Sequence, residues 1–203
     1  MEVPEQILLR IKAFAAEGQK QLPKRGWVPP SPENFRPAQI LCFDQTLSNC
    51  GWAILATDQQ EISVPACGVL VAPKFAVGER GFAATFAKSI FIADGMKQIL
   101  RDNHGSFEGV VAEMPAVSGY RTESSLVAAV TLVQTLHDMG EPWPEMVSRN
   151  RAGAVLCGDR NAPKGVSGAF VDQMVQDRHP KPWNEHVRDA VFVGLQSLYK
   201  EIA

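Results

Sequence analysis

A chain of 203 residues, 45% of them hydrophobic and 21% charged, has room for one cored domain with an appendage and is not wholesale disordered. Twenty basic residues against 22 acidic ones leave a net charge of −2, so global charge does not announce a nucleic-acid partner. No apolar run approaches the roughly 18 residues of a membrane span. Glu2, Glu5 and Arg10 interrupt the start where a signal peptide would be apolar, and Cys42, Cys50, Cys67 and Cys157 lack CxxC spacing. The expectation is a reduced, soluble, intracellular protein with no membrane partner.

Residues 4–17 read as a short amphipathic helix. Pro4 suits a first helical position, and Ile7, Leu8, Ile11, Phe14 and Ala15 make one apolar stripe ahead of Gly18. Pro23, Pro29, Pro30, Pro32 and Pro37 make residues 19–37 an extended linker. The expected division is therefore an appendage over 1–37 and a domain over 38–203. The domain opens with AQILCFD, an unbroken apolar run ending on an acid, as in a strand buried on both faces. GWAILATD and ACGVLVA follow after short polar turns, which predicts an antiparallel meander. Residues 79–102 are helical by pattern, with Phe82, Phe86, Ile90, Ala93 and Leu100 on one face. GVVAEM is a second buried strand ending on an acid, Glu113. A helix over Thr122–Met139 stops at Gly140, a short strand lies near Met146–Ser148, and helices follow near 151–157, 166–177 and 184–202. Asn184 is positioned to cap the last one. Strands first, then strand and helix alternating, is a mixed α/β pattern.

Two acids thus end apolar strands, Asp44 and Glu113. Neighbouring strands lie about 4.8 Å apart, so two such strand ends can bring their carboxylates together. Each acid alone could equally cap a turn. On the last helix His186 and Asp189 are three residues apart, hence on one face, with Glu185 close by as a substitute. Together the four make an oxygen and nitrogen donor set suited to Mg²⁺ or Mn²⁺, two ions of which could activate water and stabilise a leaving oxygen in phosphodiester cleavage. Basic residues concentrate locally, at Arg10, Lys12, Lys20, Lys24 and Arg25, and again at Arg149, Arg151, Arg160 and Lys164. Either stretch could be no more than a solvated face.

ILCFDQTLSNCGWAIL resembles the opening hairpin of RuvC-type Holliday junction resolvases, in which an aspartate ends the first strand and a Gly-aromatic pair starts the second. VVAEMPAVSGYRTESSLVAAVTLV is similar to their second acidic motif, GDRNAPKGVSGAFVDQMV to their glycine-to-lysine stretch and helix, and HVRDAVFVGLQSL to their terminal helix. The four occur in family order and span most of residues 38–203. The resemblance implies a ribonuclease H-like α/β fold, a mixed five-stranded sheet flanked by helices. It also implies a homodimer, with Mg²⁺-dependent symmetrical cutting of four-way DNA junctions at a two-ion site in which Mn²⁺ substitutes. It carries Asp44, Glu113, His186 and Asp189 over as the catalytic and metal-binding set, with Lys164 at the scissile phosphate. No nucleotide cofactor is implied, and the setting would be the DNA of a bacterial or phage-infected cell.

The chain departs from the family pattern in two places. Gly153 stands where the family has a basic residue eleven positions before the lysine, with Arg151 two positions away as a replacement. Ala116 stands where the family has an aromatic residue, and Tyr120 and Arg121 are the candidates to take over its contact with DNA. A nuclease of the same fold acting on flaps or other branches, and a junction-binding protein without turnover, remain open from the sequence. Asp-x-Thr followed by Gly also occurs in actin-like sugar kinases, but those need two such domains.

Overall fold

The computed structural model describes residues 27–74, 81–115 and 122–200. The predicted helix at 4–17 lies outside them, as do Tyr120 and Arg121. Five strands form one mixed sheet: β1 (Ala38–Asp44), β2 (Asn49–Thr57), β3 (Ile62–Val71), β4 (Gly109–Glu113) and β5 (Glu145–Val147), in the order β3-β2-β1-β4-β5. The first three are an antiparallel meander, and β4 and β5 join β1 in parallel. The predicted third strand begins four residues early, at Ile62, because Ile62 and Val64 are buried in the core and the segment already pairs with β2 there. Pro65 is tolerated there because β3 is an edge strand with one hydrogen-bonding side free.

Among the described residues five α-helices cover the sheet: α1 (Phe82–Asp102), α2 (Thr122–Met139), α3 (Arg149–Leu156), α4 (Lys164–Val175) and α5 (Glu185–Leu198). Alternation along the strands divides the core in two. Ile40, Cys42 and Val111 face α3, α4 and α5, packing on Leu156, Phe170, Val171, Val191 and Leu195. Leu41, Phe43, Val110 and Ala112 face α1 and α2, against Ile92, Met96, Leu132 and Leu136. Of the α1 residues expected on one face, Leu100 is buried but Phe86 is 57% and Ile90 49% exposed, and Leu100 shares its buried side with Ile92, Met96 and Ile99. The helix is apolar over a wide arc, and the sheet covers only part of it.

The last helix lies flat across β1 and β2 because two glycines let it. A β-carbon on Gly51 would sit 2.3 Å from the backbone oxygen of His186, and one on Gly194 would sit 2.3 Å from Cys42 Sγ. Asn184 caps this helix as expected, accepting a 3.1 Å hydrogen bond from the Val187 amide. It ends at Leu198 rather than near 202, since Tyr199 turns out to bridge Phe35. Phe35 is fully buried, its ring edge-on to Tyr199 at 5.9 Å, and Trp27 donates a 3.0 Å bond to the Val155 carbonyl. Residues 27–37, expected to be the end of a linker, therefore lie along the domain and contribute to its core.

Candidate active site

Register brings the strand-end acids together. Phe43 pairs with Ala112 in the parallel β1–β4 ladder, so Asp44 and Glu113 follow at adjacent strand ends. Both have the parity of Cys42 and Val111, which places their side chains on the α5 face. There the first turn of α5 meets them. His186 Nδ1 lies 3.0 Å from Asp44 Oδ2. A carboxylate only accepts, so Nδ1 carries the proton and Nε2 is the ring atom left for a ligand or a proton. That hydrogen bond raises the His186 pKa above its ordinary 6.5 despite partial burial.

One turn further along α5, Asp189 is 4% exposed and held by two cations. Arg149 Nη1 donates to Oδ1 at 2.8 Å, and Lys164 Nζ bonds Oδ2. Arg149 is itself fixed: Nη2 donates to Ser167 Oγ at 2.8 Å, and its guanidinium sits 5.6 Å from the centre of the Phe192 ring. Burial tends to lower the Lys164 pKa, but the hydrogen bond and charge of Asp189 outweigh it and the net shift is upward.

Glu113 is the acid without a counter-ion. Among the described residues its carboxylate has no hydrogen-bond or ion-pair partner. Burial, then the charges of Asp44 and Asp189, push its pKa up to about 7 against the partial relief of Arg149 and Lys164. Gln45, next to Asp44, donates from Nε2 to the Glu113 backbone carbonyl and ties the two strand ends together. Among the described residues its Oε1 is the buried side-chain polar atom without a partner.

These residues suit a divalent cation by chemistry: three carboxylates and one imidazole, with one carboxyl raised to about 7 by burial and by its acidic neighbours. They are not closed around a common point. Among the described residues no group of three His, Cys, Asp or Glu side chains is arranged to hold a metal ion. Asp44 is turned to His186, and both oxygens of Asp189 are occupied by protein cations.

Asp44, Glu113, His186, Asp189 and Lys164 thus meet at one end of the sheet. Arg151 does not join them. It is exposed on α3, two residues from Arg149 and so on a different face of the helix. Arg149 is the residue that sequence reasoning missed. It lies four positions before Gly153, on the same helical face, and Gly153 is buried with its absent β-carbon 2.6 Å from the Asp159 carbonyl. A long basic side chain has no room at 153, and the face supplies its cation one turn earlier. The sequence signal was present, since Arg149 opens the second basic stretch.

The structure of RuvC from Thermus thermophilus resembles this chain with a TM-score of 0.60, covering 78% of this chain and 92% of the other at 15% identity. The chain has the RuvC-type resolvase fold. T. thermophilus RuvC in complex with a Holliday junction substrate is similar too, with a TM-score of 0.62 over 80% of this chain and 93% of that one at 16% identity. No family model and no curated protein matches the sequence. The likeness to RuvC is therefore one of fold, at a sequence distance that direct comparison does not bridge.

Proposed function

We propose that this chain is a metal-dependent endodeoxyribonuclease that resolves four-way DNA junctions by symmetrical phosphodiester hydrolysis, acting as a homodimer on the DNA of a bacterial or phage-infected cell. The observation that carries the reading is Glu113. Its carboxyl is largely buried beside two further carboxylates where β1, β4 and α5 meet, and among the described residues no cation is paired with it. Asp44, Glu113, His186 and Asp189 would hold Mg²⁺, with Mn²⁺ as a substitute. When bound, two such ions supply an activated water and charge neutralisation at the scissile phosphate.

The chain's own residues have separable tasks in this reading. Asp44 and Glu113 bring ligand charge on rigid strand ends, whose spacing the sheet dictates. His186 is oriented by Asp44 and offers Nε2. Arg149 holds Asp189 at a defined angle through Oδ1. Lys164, with its side chain 58% exposed, reaches the open side where a phosphate would arrive. Arg151 supplies a further cation for DNA from the exposed face of α3, and Tyr120 and Arg121, between β4 and α2 in the sequence, supply further contacts. The nuclease unit in this reading takes in residues 27–37 along with the domain that follows, because Trp27 and Phe35 pack into it.

Two cuts related by a two-fold axis call for two copies of one site. The surface offered for pairing is the apolar face left uncovered on α1 and α2, where Phe86, Ile90, Leu126 and Val130 are all more than two-fifths exposed. A groove of about 440 Å³ runs between them, lined by Ile90, Ala93, Leu126 and Val130.

The deciding experiment is cleavage of a panel of four-way, three-way, flap and duplex DNA with and without Mg²⁺. Paired cuts confined to the four-way substrate and dependent on the metal are expected. Preferential cutting of flaps would move the reading to a branch nuclease. Tight junction binding without cleavage under any divalent ion would reduce the chain to a binding protein.

A further inference from the structure

The two cations on Asp189 are held very differently. Arg149 is anchored at three points, by Asp189, Ser167 and the Phe192 ring, and its side chain is 21% exposed. Lys164 touches Asp189 alone among these, and its side chain is 58% exposed. It stands at the first position of α4, where the helix dipole opposes a positive charge. Asp189 therefore has to hold it there. Beside it lies an open cleft of about 270 Å³ between α4 and α5, lined by Gly165, Gly168, Glu185 and Arg188 as well as Lys164. The cleft gives a flexible four-carbon chain room to swing.

We infer that Lys164 is a displaceable counter-ion: it covers Asp189 Oδ2 while no divalent cation is bound, is exchanged for that cation when one binds, and only then swings free to meet substrate. This rests on the reading of the four-residue cluster as a metal site. Asp189 is nearly buried, and a carboxylate left there without a partner would protonate or turn away. Arg149 keeps Oδ1 throughout and so keeps the carboxylate oriented. Oδ2 is the atom that changes partner. A doubly charged ion at about 2.1 Å outcompetes a singly charged ammonium at hydrogen-bond distance. The same exchange delivers the lysine charge to the cleft only in metal-loaded protein, which ties substrate contact to metal occupancy.

The test needs no DNA and no turnover. Binding of Mn²⁺ to the full-length protein is measured by calorimetry for the wild type, Lys164→Met and Lys164→Arg, with thermal unfolding as the check on folding. Removing the competitor should tighten the Lys164→Met dissociation constant by about fivefold, since the lysine end of the pair is more than half exposed and solvent screens it. Lys164→Arg, which keeps a competing cation, should stay near wild type. In ¹⁵N-lysine-labelled protein the Lys164 ammonium resonance should shift to that of a solvent-exposed lysine as Mg²⁺ saturates. Unchanged or weaker Mn²⁺ binding in Lys164→Met, or a Lys164 resonance indifferent to saturating Mg²⁺, overturns the exchange. A protein that resolves junctions while Lys164 stays on Asp189 would sink this inference and leave the nuclease reading standing. A protein that binds no divalent ion at all would sink both.

Discussion

Replacing Gly51 with alanine tests whether the seating of α5 on the sheet sets the geometry of the site. Gly51 lies opposite Asp44 in the β1–β2 ladder, directly beneath the first turn of α5. The added β-carbon would fall 2.3 Å from the His186 carbonyl oxygen, 2.4 Å from its carbonyl carbon and 2.8 Å from its β-carbon. An ordinary contact is about 3.5 Å, so the helix start has to retreat by about 1 Å. Two of the three atoms are backbone, and no rotamer change can relieve them. His186 would be drawn off Asp44, lengthening a hydrogen bond that is now 3.0 Å. A misplacement of about 1 Å in a reacting constellation costs about a hundredfold in rate, while overpacking of this size costs about 1–3 kcal/mol of stability.

The assay is single-turnover cleavage of a synthetic four-way junction in Mg²⁺, with junction affinity and thermal unfolding measured on the same samples. Gly194→Ala is the control. Its β-carbon would meet Cys42 Sγ at 2.3 Å, two turns along the same helix from His186. Gly51→Ala should lose about a hundredfold in rate with little loss of affinity, and Gly194→Ala should lose stability but much less rate. A Gly51→Ala protein cutting within about twofold of wild type would refute the argument that this contact sets the His186 position. Equal rate losses in both variants would mean that general loosening, not His186, is responsible.

Asp44→Asn removes a ligand charge for which an amide is no substitute, and it should abolish cleavage while folding and junction binding persist, as gel-shift and cleavage assays on one preparation would show. Glu113 should make stability depend on pH when divalent ions are absent. Its pKa rises from 4.5 to about 7 on folding, so the folded chain binds the extra proton between those values and stability falls as pH climbs through that window. Denaturant titrations from pH 5 to pH 8 should show a loss of about 2 kcal/mol, discounted for partial exposure, that Glu113→Gln removes. His186 adds a loss of its own above pH 6.5, as its stabilising charge disappears, and that part should survive in Glu113→Gln. Val130→Asp, at a position 66% exposed, should leave the monomer folded but lower the light-scattering mass from dimer to monomer and turn paired cuts on a cruciform plasmid into single nicks. A monomeric wild type would remove the basis of that last prediction.

Much of this architecture can be read before folding. AQILCFD and GVVAEM are apolar without interruption until an acid ends each, and only strands buried on both faces tolerate that pattern. Asn184 ahead of an apolar-periodic run marks the start of α5, and the three-residue spacing of His186 and Asp189 places them on one face of it. Local chemistry encodes such features because each depends on a few neighbouring residues. Which face of α1 is buried was not legible. Phe86 and Ile90 are as apolar as Ile92 and Met96, and only the placement of the sheet chooses between them. Arg149 stood out only as one of a basic stretch, and its role on Asp189 was not legible. Its partners Asp189, Ser167 and Phe192 lie 18 to 43 positions away, and its place depends on Gly153 being filled by the Asp159 loop. Nor could spacing tell that Lys164 and Arg149 share one carboxylate while Glu113 has none. A buried charge takes its state from whatever tertiary packing brings within a few ångströms, and a chain position carries no record of that distance.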